Sequence, residues 1–195
     1  MATYTSVIPV LDTTYVKATS IYSTNFYAHF ATDPARSVIG AWASNAWLST
    51  IGTSQQRLHI DLTQPYAIRR IYYENLHENG GNSQFGSRAF TFWGSNDYAD
   101  FVDTTYANDR TWVQLSTSAA EFDQHVALDQ ADPKYITVTN TVAYRYYAIK
   151  ISTGWGGNSA GFRRVQLQTE DGYVPRYIDG KSGVSLGSAN VMVVS

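Results

Sequence analysis

Apolar residues alternate with polar ones over short runs and rarely fall at the spacing of an amphipathic helix. The clearest run is Leu58-His59-Ile60-Asp61-Leu62: Leu58, Ile60 and Leu62 share one face of a strand, and His59 and Asp61 point outward from the other. After a turn at Gln64-Pro65, Ala67–Leu76 alternates imperfectly and predicts a strand that permits a bulge. Ala89–Trp93 predicts a strand with Phe90 and Phe92 on one face, and Trp112, Val113 and Leu115 begin another. Tyr135–Thr139 alternates cleanly, Tyr144–Ile151 is a long aromatic strand, and Arg163–Gln168 closes the set with Val165 and Leu167 inward. Upstream, Thr3–Val10 and Val16–Tyr22 are shorter stretches broken by Pro9 and Asp12, which predict an edge strand and a wrapping arm.

Between these runs lie polar segments. Ala31–Ser54 is a long loop whose Trp42 and Trp47 are expected to anchor it. His77–Arg88 and Ser152–Gly161 are glycine-rich, Gly94–Asn108 is a polar excursion with one helical turn around Asp97–Val102, and Ala119–Asp132 shows no period and reads as a loop. Asp171-Gly172 marks a turn, after which a small-residue segment ends in Val191-Met192-Val193-Val194. The expected organisation is one domain over 1–172, with 1–19 as a wrapping segment, and a C-terminal arm over 173–195.

Composition sharpens the class. Aromatic residues make up 14% and charged residues 15% of 195 residues, against roughly 25% charged in an average domain. With abundant Thr and Ser and few Glu and Lys, the expected class is all-β. A formal charge of -2 without a basic stripe argues against a nucleic-acid partner. Cysteine is absent, so neither disulfides nor thiolate chemistry enter. No apolar run approaches the roughly 18–20 residues of a transmembrane helix. The opening Met-Ala-Thr-Tyr-Thr-Ser-Val-Ile-Pro-Val lacks the basic and apolar regions of a secretory signal, so none is expected.

No hydrolase, zinc-protease, calcium-loop or phosphate-loop motif is present. His59 and Asp61 share a strand face, and Glu74 and Glu78 flank His77, but nothing in the spacing fixes a catalytic separation. An enzyme is not expected. The two glycine-rich loops are better candidates. A pyranose needs a flat apolar platform for its C–H face and planar polar groups for its hydroxyls. Trp155, framed by glycines, suits the platform, with His77, Asn79, Asn82, Arg88 and Asn158 as hydroxyl partners. The competing reading folds Trp155 back as a lid on the core. Arg69-Arg70 and Arg163-Arg164 are expected to be solvated or paired with Asp rather than to bind phosphate.

The order of these pieces resembles the discoidin, or coagulation-factor C-type, family of the galactose-binding-like superfamily. The residues that carry it are His29-Phe30-Ala31-Thr32-Asp33 followed by Trp42; Arg57-Leu58-His59-Ile60-Asp61-Leu62; Phe90 to Asp97 followed by Trp112; Tyr144 to Ile151; and Phe162 to Leu167. The resemblance spans Ser20 to Gly172. It implies a jelly-roll β-sandwich of about eight antiparallel strands, with Trp42, Trp93 and Trp112 in core packing, and a non-catalytic module that binds glycans, lipids or proteins through loops at one end. It also implies a structural calcium, for which Asp33 is the candidate ligand, although Ala31 and Arg164 stand where the family has acidic residues. Two functions are therefore expected: glycan recognition through the loops, or a structural role in a larger, oligomeric assembly such as a virion. Either places the protein outside the cell or on a particle surface, with glycans or neighbouring surface proteins as partners.

Overall fold

The computed structural model describes residues 2–172, and the arm expected over 173–195 lies outside them. Ten strands are present: β1 (Tyr4–Val7), β2 (Val16–Ala18), β3 (Trp47–Leu48), β4 (Gln56–Tyr66), β5 (Arg70–Asn75), β6 (Phe90–Ser95), β7 (Val113–Thr117), β8 (Lys134–Thr139), β9 (Tyr144–Ile151) and β10 (Gly161–Glu170). They pair antiparallel in the order β1-β10-β5-β8-β7-β6-β9-β4-β2, with β3 also on β10. The β7–β8 pairing is limited to Ser116–Thr139 and Thr117–Val138. There the sheet turns from the β5, β8 and β10 layer to the β4, β6 and β9 layer, giving the expected jelly-roll sandwich. As expected, the N-terminal strands are edges, β1 on β10 and β2 on β4.

The core lies between the layers. Leu58, Ile60 and Leu62 of β4, Phe90 and Phe92 of β6, Ile149 and Ile151 of β9, and Val165 and Leu167 of β10 are buried together. Each such side chain contributes roughly 1.5–3 kcal/mol when fully buried. Phe122, from the segment without a period, fills the centre. It stacks on Phe90 at 4.0 Å and meets Tyr73 and Phe162 edge-on at 4.7 and 4.9 Å. Trp47 is fully buried and donates its indole N–H to Ser20 O at 3.1 Å, so it anchors its loop as expected.

Two expectations fail at the backbone level. The Gln64-Pro65 turn is absent, because β4 runs on to Tyr66. Thr63 takes a positive φ of 68° and the pairing with β9 shifts between Asp61 and Tyr66. This bulge leaves Pro65 exposed, where no ladder N–H is needed. The next strand consequently starts at Arg70 rather than Ala67.

The outer face of β4 and β9 is also covered. Residues 96–112 fold over it, with α1 (Tyr98–Val102) capped by Asp97, whose Oδ1 accepts the Ala99 N–H at 2.8 Å. Phe101 and Trp112 pack with Tyr146 and Ala148 there, and half-buried Trp93 joins that cluster rather than the inner core. Beneath it His59 is fully buried, although it lies on the outward face as expected. Its Nδ1–H donates to Phe101 O at 2.9 Å, and its other nitrogen has no partner among the described residues. Asp61 sits nearby in a bidentate pair with Arg145, both bonds 2.8 Å.

Burial, ahead of the neighbouring Arg57 charge, pushes the His59 imidazole down to about 4. The unfolded chain, with an ordinary histidine value of 6.5, takes up the proton first. Stability from neutral His59 is thus complete above about 6.5 and lost as pH falls toward about 4. We expect a loss on the order of 3 kcal/mol across that window from this residue. Urea melts at stepped pH should show the decline, and His59→Gln should flatten it; an identical slope in the variant would refute the assignment.

Candidate functional site

Four loops meet at one end of the sandwich. Ser87 bridges Gly154 and Ala89 bridges Glu121, which ties the β5–β6 loop to the β9–β10 and β7–β8 loops. The β3–β4 loop joins them through the Gly52 N–H, which donates to Asn158 O at 2.7 Å. The Trp155 and Gly156 N–H groups donate to Gly86 O at 3.0 Å and Gln84 O at 2.7 Å. A Cβ on Gly154 would stand 2.1 Å from Ser159 O, so only glycine permits this crossing. The two glycine-rich loops are therefore one clamped unit.

Trp155 is half-buried at this end and donates its indole N–H to Phe122 O at 3.2 Å. The Arg88 guanidinium lies 4.7 Å from the indole ring centre, and its Nε donates to the Glu121 carboxylate at 3.1 Å. Arg88 and Glu121 keep 43% and 49% of their side-chain surface, so the pair steers geometry more than it adds stability. An indole with a guanidinium stacked over one side of its ring and a carboxylate beside that guanidinium offers an apolar surface next to donors and an acceptor for sugar hydroxyls.

The other sequence candidates divide. Asn158 is exposed on the Trp155 loop, with its backbone carbonyl taken by Gly52. Asn82 is exposed and left-handed, at φ 55°, with its amide on the Glu78 carboxylate at 2.9 Å. Asn79 is exposed, also left-handed, and donates its backbone N–H to Gly40 O at 3.1 Å.

His77 does not belong with these exposed groups. It is 1% exposed and saturated. Its Nδ1 accepts the Gly80 N–H at 3.1 Å, so Nε2 carries the proton and donates to Val38 O at 2.8 Å. Burial, ahead of other causes, holds its pKa below the usual value. Its ring stacks on His125 at 3.7 Å and 5°. His77 thus splices three loops together. Glu121, by contrast, was invisible in the sequence, because its segment has no period and it meets Arg88 only through long-range pairing.

The residues around Asp33 do not suit a divalent cation. Its Oδ1 accepts the Ala35 N–H at 2.9 Å and its Oδ2 faces Arg36 Nε at 3.2 Å. Several carbonyls of the same loop are engaged by two arginines. Fully buried Arg163 donates to Ser37 O at 3.1 Å, Ile39 O at 2.6 Å, and Gly40 O and His77 O at 3.3 Å each. Arg164 donates to Arg36 O. Contrary to expectation, these two arginines are neither solvated nor paired with Asp. Burial lowers the Arg163 guanidinium to about 10, which still leaves it charged at neutral pH. Among the described residues no three His, Asp or Glu side chains gather as a metal would require. A built-in cation fills the carbonyl cage.

Chelation with EDTA should therefore leave the melting temperature unchanged, whereas Arg163→Met should lower it by roughly 8–16 °C, for a loss of about 4 kcal/mol from the severed hydrogen bonds to a charged donor. A calcium-dependent melt in the wild-type protein would refute this arrangement.

No family model and no curated protein matches the chain. Among solved structures, chitosan-binding module 1 of a chitosanase/glucanase from Paenibacillus sp. IK-5 superimposes with a TM-score of 0.56 at 15% identity, covering 84% of this chain and 98% of that one. The family 32 carbohydrate-binding module of Clostridium perfringens NanJ, in complex with galactose, gives 0.54 at 15% identity, with 86% and 100% covered. A further Clostridium perfringens family 32 module, in complex with GalNAc-beta-1,3-galactose, gives 0.51 at 17%, with 78% and 92% covered. The strand order and these superpositions together show that the chain shares the antiparallel β-sandwich fold of these carbohydrate-binding modules.

Proposed function

We propose that this protein is a non-catalytic glycan-binding module whose sugar site is the loop end around Trp155. The observation that carries this reading is the clamped loop of Trp155, whose indole lies under the Arg88 guanidinium of the Arg88–Glu121 pair, on a loop that also carries exposed Asn158. The fold neighbours that bind galactose or chitosan support the ligand class. Binding through a rigid backbone suits small polar ligands, because little conformational entropy is lost when a preformed site engages. Candidate acids and bases do not converge here: buried Glu74 accepts from Tyr72 and from the Asp132 N–H at 2.9 Å, and Glu78 holds Asn82. The setting we propose is extracellular or a particle surface, where such a module meets glycans of another cell.

Titration with galactose, N-acetylgalactosamine and chitooligosaccharides should change tryptophan fluorescence at millimolar concentrations. Trp155→Ala should weaken binding by roughly tenfold or more, the loss typical of a central aromatic anchor. Its melting temperature should stay near that of the wild type, since the loop is held by backbone bonds. Absence of binding to every sugar tested, or full binding by the variant, would overturn the reading.

A further inference from the structure

The excursion over residues 96–112 does more than cover β4 and β9. Between its far edge and the outer face of β6 and β9 it leaves an open groove of about 430 Å³, lined by Thr91, Trp93, Tyr106, Asp109, Gln114 and Lys150. We propose that this groove is a second glycan subsite, selective for a sugar unit that carries a carboxylate. The proposal rests on the glycan reading of the Trp155 end and extends it to a neighbouring surface.

The groove has the parts such a unit needs. Trp93 and Tyr106 supply ring faces, and the Lys150 ammonium lies between them, 5.8 Å from the Trp93 ring and 4.8 Å from the Tyr106 ring. The Trp93 indole is fixed by its N–H bond to Thr91 Oγ1 at 2.7 Å. Gln114, opposite Trp93 in the β6–β7 register, is exposed, and its amide has no partner among the described residues. It is free to meet a hydroxyl or a carboxylate.

The charge balance points to an anion. Asp109 Oδ1 receives two cations, Lys150 Nζ at 2.6 Å and Arg57 from behind the groove. One carboxylate against two cations leaves a positive excess. Arg57 is fully buried, and its Nη1 has no partner among the described residues, so the excess is poorly hydrated. A carboxylate entering beside Lys150 would offset it, in a site partly screened from water.

The groove also runs into the loop end. Its upper margin is formed by Ala89, Ala120 and Ser152. The next residues along each strand, Arg88, Glu121 and Thr153, belong to the Trp155 surface. A glycan seated on Trp155 can thus continue along the outer face of β6 and β9 without leaving the protein.

The test is an array, followed by calorimetry with the full chain, of matched oligosaccharides: oligogalacturonate against its methyl ester, and hyaluronan fragments against their carboxyl-reduced forms. We expect the acidic member of at least one pair to bind roughly tenfold tighter than its neutral partner, with the preference falling in high salt. Lys150→Met should erase the preference while neutral binding persists. Gln114→Glu, at an exposed side chain that holds nothing in place, should weaken the acidic member about tenfold and spare the neutral one. Neutral glycans binding without any acidic preference, or a preference untouched by both variants, would overturn the groove and leave the Trp155 site standing. Failure of every member to bind would also overturn the groove, while the Trp155 site stands or falls on its own titration with galactose, N-acetylgalactosamine and chitooligosaccharides.

Discussion

The loop end depends on one guanidinium. Arg163 enters from β10, where alternation alone would place a core or solvent residue, and its Nη1 and Nη2 engage four backbone carbonyls from two loops. Two of those carbonyls also take a neutral donor, Gly40 O from the Asn79 N–H and Ile39 O from the Ser37 hydroxyl, so what the guanidinium adds is a set of charge-assisted bonds that joins the two loops. From this point rigidity spreads. The His77 carbonyl lies on Arg163, the His77 ring stacks on His125, and Gly80, at φ +77°, lets the same loop press against Leu128, where a Cβ would stand 2.5 Å away. Gly40 closes the circuit by donating its N–H to Asp129 at 2.7 Å. An organic cation thus cross-links the two loops through their carbonyl oxygens.

A related constraint shapes the outer face. A sandwich of this size must leave one side of each sheet to solvent unless something covers it. Here β4 presents Arg57, His59 and Asp61 outward, three polar side chains in succession on one face. Residues 96–112 cover this face, and each side chain is held differently: His59 on Phe101 O, Asp61 by Arg145, Arg57 by Asp109 and the Tyr106 carbonyl, while His59 Nε2 and Arg57 Nη1 have no partner among the described residues. The cover stops short of β6. Trp93 and Lys150 are left at its rim, which is why the groove opens there.

Much of the frame was legible in the sequence. Leu58-His59-Ile60-Asp61-Leu62, Tyr144–Ile151 and Val165–Leu167 alternate as the structure uses them, because a half-buried strand imposes its period on the sequence. The ordered series of short motifs added the topology, which periodicity cannot give. What stayed hidden were the effects of long-range contact. His77 and Asn79 look equivalent in a glycine-rich loop, yet only His77 lies where two other loops converge. His59 looks solvent-facing until an excursion about forty residues later folds over it. Phe122 sits in a stretch with no period, so its place in the core follows from three-dimensional packing alone. The positive φ at Thr63 that absorbs Pro65 is also a consequence of register, not of local residue preference.

Recognition of sugars constrains how such a frame is useful. A single pyranose buries little surface, so its binding is weak unless the site is preformed and the ligand is held at more than one place. Both conditions follow from the architecture. The clamped backbone around Gly154 spares the site the entropy of ordering. Strand β9 links the two surfaces physically, because it carries Lys150 into the groove and, five residues on, delivers Trp155 to the loop end. A chain that touches one is presented to the other at high effective concentration, with no second loss of rigid-body freedom. In the proposed reading each surface already pairs an aromatic ring with a charge, Trp155 with Arg88 and Trp93 with Lys150, and selectivity would come from a glycan long enough to engage both pairs at once.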